Sequence, residues 1–161
     1  MHNDRFDSKK AALVGLKAHL KVSLMPSDLA LNLKNLSREY YDLMDKRSAY
    51  INKLQGELHM VFLQYLNIFS KITTKTSLTL LETYTSPESF LNASKDDIIH
   101  SIRTTARFGL TYAENKYNAI VKAANDAKTF GDSLNSNFKR ICLYIRFIRN
   151  YDLEVAGFSL K

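Results

Sequence analysis

A single cysteine, Cys142, stands in the 161 residues, beside only 2 prolines and 5 glycines. One cysteine rules out an intramolecular disulfide and makes a reducing cytoplasm the simplest home. So few prolines and glycines argue against a turn-rich all-β fold and favour helices. No apolar run approaches the roughly 18 residues of a membrane span, so no membrane is expected among the partners. Residues 1–10 are polar and charged, unlike a secretory leader. Glycine-rich phosphate loops are absent. His2, His19, His59 and His100 are dispersed, without a metal-ligand spacing such as His-x-x-x-His. No nucleophile–base set stands out.

What is present begins with charge. The formal net charge is +7 and the isoelectric point about 9.4. A basic surface attracts phosphate backbones and anionic membranes alike. Most cations are scattered, but Lys139, Arg140, Arg146 and Arg149 form a denser group and are the candidate nucleic-acid contacts. Solvated helix faces would leave the same pattern.

The dominant pattern lies in residues 27–65. Leu29, Leu33, Leu36, Tyr40, Leu43, Arg47, Tyr50 and Leu54 recur at alternating steps of four and three. This keeps one narrow stripe facing a partner helix, as in a coiled coil. Pro26-Ser27-Asp28 supplies a start signal. At about 1.5 Å per residue the helix would be on the order of 58 Å long. A seam of that length needs a second chain or a folded-back helix, and a homodimer is the expected arrangement. Arg47 is the polar member, placed to fix register or to meet Asp42 or Asp45 of a partner. Gly56 costs about 1 kcal/mol relative to alanine, and a bend is expected between Gly56 and Leu66.

Downstream, the pattern predicts short helices around residues 77–84 and after Ser86-Pro87-Glu88. Another is expected after Ser94, with Asp96 and Asp97 in its first turn. Gly109 is expected to break the chain and Thr111 to cap the helix at 112–128. A last helix at 133–156 carries Leu134, Phe138, Ile141, Ile145, Ile148 and Val155 along one side, with Cys142 as a buried small hydrophobe. Residues 103–114, two helices around one glycine, fit a helix-hairpin-helix or a plain packing corner. The fold class is all-α: a long coiled-coil helix plus a small helical bundle.

The long helix also carries a resemblance. Leu33-Lys34-Asn35-Leu36-Ser37-Arg38, followed by Leu43, Arg47, Asn52 and Leu54, resembles a pattern of DEDD-type insertion-sequence transposases. These are related to pilin-gene invertases and described as bridge-RNA-guided recombinases. Ser77-Leu78-Thr79-Leu80-Leu81-Glu82-Thr83-Tyr84-Thr85-Ser86-Pro87 is similar to a second stretch of that family. Ser94-Lys95-Asp96-Asp97-Ile98-Ile99 and the helix through Ala123 and Ala124 follow its course. Leu63 stands where the family usually has proline after Phe62.

The resemblance implies a division of the chain. Residues 1–25 would be the end of a resolvase-like domain, 26–69 the coiled-coil helix, and 70–161 a helical segment leading toward a serine-containing domain. Asp4 and Asp7 match the last two of four acidic residues that bind Mg²⁺ in the intact family, Asn3 replacing the usual threonine. The first Asp and the Glu are expected upstream and the serine domain downstream, so this truncated segment is expected not to cleave DNA alone. The implied partners are DNA and a structured RNA. Two other readings stay open: a helical interaction protein without a nucleic-acid role, and a dominant-negative regulator pairing with a full-length transposase.

Overall fold

The structure, a computed structural model, describes residues 7–10, 12–13, 27–130 and 135–159, without the side chains of 128–130 and 159. Among these residues there are helices and no strand, as the low proline and glycine content predicts. Two compact units divide the chain, residues 1–37 and 38–161.

Helix α1 spans Asp28–Val61, 34 residues, and runs through Gly56 without interruption. Its start is the expected one: the Ser27 hydroxyl accepts the Ala30 N–H at 3.3 Å. The expected bend falls just beyond Val61, where Phe62 has a non-helical backbone and a 3-10 turn, Leu63–Asn67, follows. Leu63 is the first residue of that turn.

Five helices follow among the described residues. α2 (Lys75–Thr83) starts where the Thr74 side chain accepts the Ser77 N–H. α3 (Pro87–Asn92) starts with a reciprocal capping box between Ser86 and Ser89, with Pro87 in the first turn. Pro87 fits there because the first helical N–H has no partner to lose. α4 (Lys95–Ala106) has Ser94 at the cap position, but its side chain makes no capping bond. α5 (Leu110–Phe130) corrects the role given to Thr111: the Gly109 carbonyl accepts the Ala113 N–H at 3.1 Å, so Thr111 sits inside the helix. α6 (Asn135–Ser159) is the last.

The core of residues 38–161 gathers around aromatic rings. Phe62, Tyr65 and Phe90 are almost fully buried and lie 5.1–5.8 Å apart, ring centre to ring centre. Such spacings add directional contacts to the area they bury. α3 and α4 pack on α5 and α2 respectively, and α2 meets α6. Ile98, Ile102, Ile120, Ile141, Ile145 and Ile148 contribute one face each from α4, α5 and α6, all with no exposed surface. The Lys116 ammonium caps the Ile68 carbonyl and lies over the Phe69 and Tyr112 rings, which ties the 3-10 turn to α5.

Candidate interaction surfaces

The heptad seam of α1 has two different environments. Within residues 38–161 it is closed by α6, which runs antiparallel to it. Glu57 meets Arg140 (3.0 Å) and Asn137 (2.9 Å). Tyr50 stacks on Phe147 (4.6 Å) and Tyr151 (5.8 Å) and tilts against Tyr144. Arg47 reaches Asp152 at 2.5 Å, and Tyr40 meets Phe158 edge-on at 6.4 Å. Residue numbers fall on α1 as they rise on α6. Leu54 is fully buried, and Tyr40, Leu43, Arg47 and Tyr50 are half-buried. Arg47 therefore finds its carboxylate on α6 of its own chain, and neither Asp42 nor Asp45 is needed. Asp42 instead pairs with Lys46 one turn on, which raises the Lys46 pKa through the hydrogen bond and the charge.

In residues 27–37 the same stripe is open. Leu29, Leu33 and Leu36 are 69, 57 and 54 % exposed. Three exposed leucines at steps of four and three lie on one helix face, the arrangement that a second helix covers.

The four candidate nucleic-acid contacts also part company. Arg140 pairs with Glu57, and Arg149 pairs with Glu82 (2.9 Å) and donates to the Thr79 hydroxyl (3.0 Å). Lys139 and Arg146 are exposed and have no acidic partner among the described residues. Ion pairs from other helices are invisible in a one-dimensional charge count. The partner glutamates lie far back in the sequence, on α1 and α2.

Asp7 is exposed on a helical stretch, while Asp4 lies outside the described residues. Among the described residues, no three His, Cys, Asp or Glu side chains come together to hold a metal ion. Cys142 is half-buried rather than buried, its sulfur 3.3 Å from the Thr85 hydroxyl. His59 and His100 are exposed, and His2 and His19 fall outside the described residues. Between α4 and α5, Arg107 adopts a left-handed backbone (φ 54°) and Phe108 stacks on Tyr112 at 4.2 Å. Apolar packing accounts for that corner.

Fold and surface together define an all-helical chain with a partly open heptad seam. Among the described residues, no helix is long and apolar enough to cross a membrane. Compared with protein-family models, curated proteins and solved structures, the chain finds no match.

Proposed function

We propose that these residues are the helical assembly segment of a DEDD-type insertion-sequence recombinase, working in the cytoplasm on DNA and a structured RNA. The observation that carries the assembly role is the open stripe of Leu29, Leu33 and Leu36 at heptad spacing. The family assignment rests on the resemblance. In its support, the matching stretches fall on successive elements: α1, α2 with the Ser86-Pro87 cap, and the start of α4.

The stripe's occupant in this reading is a second copy of the chain. Three leucines and their neighbours hide less than the roughly 1,000 Å² of a firm interface. The homodimer is therefore weak, with a Kd on the order of micromolar or above. Sedimentation should show mass rising with concentration through the micromolar range, and Leu33→Asp should abolish the rise. A wild-type chain that stays monomeric to millimolar concentration would sink the assembly role.

A helical interaction module without a nucleic-acid role is the second reading. It is favoured by the neutralisation of Arg140 and Arg149 within the fold. Salt-dependent nucleic-acid affinity separates the two. A regulator acting on a full-length transposase would form mixed dimers through the same three leucines, which co-purification with such a transposase detects.

A further inference from the structure

The cations of α6 are not equivalent, and their difference locates a binding face. From 135 to 151 this helix has no acidic residue, and its first, Asp152, is engaged by Arg47. Its inner face is committed: Ile141, Ile145 and Ile148 are fully buried, Arg140 answers Glu57, and Arg149 answers Glu82. Lys139, Leu143, Arg146, Asn150 and Leu153 recur at steps of four and three, which places them on one face. All five are exposed. Two unneutralised cations lie two turns apart there, about 10 Å along the axis, with an amide donor one turn beyond Arg146.

We infer that this outer face of α6, through Lys139, Arg146 and Asn150, is the surface that contacts a phosphodiester backbone, while Arg140 and Arg149 hold the fold together. The inference rests on the nucleic-acid reading above and divides its four candidate residues into two roles. Ammonium, guanidinium and amide groups are all donors to phosphate oxygens, which carry no sequence information, so the contact positions a duplex without reading it. An anionic membrane fits the same charges less well. A helix lying in a membrane surface needs a continuous apolar face toward the lipid. The apolar face of α6 is already buried in protein, and its outer face offers only Leu143 and Leu153.

The test is fluorescence-anisotropy titration of a labelled DNA duplex across salt, with circular dichroism to check each fold. Each lost phosphate contact lowers the log–log salt slope by about 0.9. Lys139→Ala with Arg146→Ala should lower it by about 1.8 and leave thermal unfolding unchanged. Arg140→Gln and Arg149→Gln should leave the slope within about half a unit and lower the unfolding temperature. A wild-type slope in the double variant, or an equal loss in the Gln variants, would overturn the division of roles alone. Absence of salt-sensitive duplex binding by the wild type would overturn the nucleic-acid reading with it. Preferential binding to phosphatidylserine vesicles, dependent on Leu143 and Leu153, would reassign the face to a membrane.

Discussion

Tyr65 shows how one side chain joins separate segments. Its ring is fully buried between Phe62, Phe69 and Phe90, and its hydroxyl donates to the Ser77 carbonyl at 3.1 Å. Burial raises the phenol's pKa well above its ordinary value of 10.0, against a smaller lowering by the Ser77 side chain. The core accepts only the neutral form. Its contribution is whole below about pH 10, the unfolded value, and is lost as pH climbs toward the folded value, because only the unfolded chain ionises freely. The loss approaches ~1.4 kcal/mol per pH unit. Tyr65→Phe should cost about 1 kcal/mol near pH 8 for the missing hydrogen bond. It should also make the decline above about pH 10 shallower, as urea midpoints would show. An unchanged decline would mean that Tyr65 ionises as easily folded as unfolded.

At the scale of elements, α1 is one helix despite a glycine in its interior. Nothing lies within 4 Å of the place a Gly56 Cβ would occupy, and the residue is exposed. Gly56→Ala should therefore add about 0.5–1 kcal/mol by trimming the freedom of the unfolded chain, raising the melting temperature by roughly 2–4 °C. A neutral or lower value would mean that the glycine eases a bend in α1. The starts of α1 and α3 were readable because Pro26-Ser27 and Ser86-Pro87 join a capping hydroxyl to a fixed backbone angle. Thr111 misled because a threonine beside a glycine resembles a cap, whereas glycine can itself occupy the cap position. The heptad of α1 declared that a partner helix exists but not which one, since any apolar stripe satisfies it. A clue lay in α6, where Tyr144, Phe147, Tyr151 and Phe158 share one face. The Arg47–Asp152 pair had no such trace, because two charges 105 residues apart leave no periodicity.

For the whole molecule, the proposed dimer divides the seam between folding and assembly. Leu43 is half-buried on the part of α1 that α6 covers, and Leu36 is 54 % exposed beyond it. A carboxylate at position 43 must lose hydration beside Arg47 and the rings around Tyr50, which places Leu43→Asp in the roughly 1–3 kcal/mol class of destabilising changes. At position 36 the carboxylate stays in water, so Leu36→Asp should leave the stability read from urea unfolding within about 0.5 kcal/mol of the wild type. Association should respond differently. Two copies of the Leu36→Asp chain meeting along this stripe would each bring a carboxylate into an interface too small to offset its desolvation, and self-association should vanish. Equal loss of stability in both variants would mean that the Leu36 stripe is covered within the same chain, and the homodimer would fall. Loss of association at neither position would move the contact between copies off the α1 seam altogether.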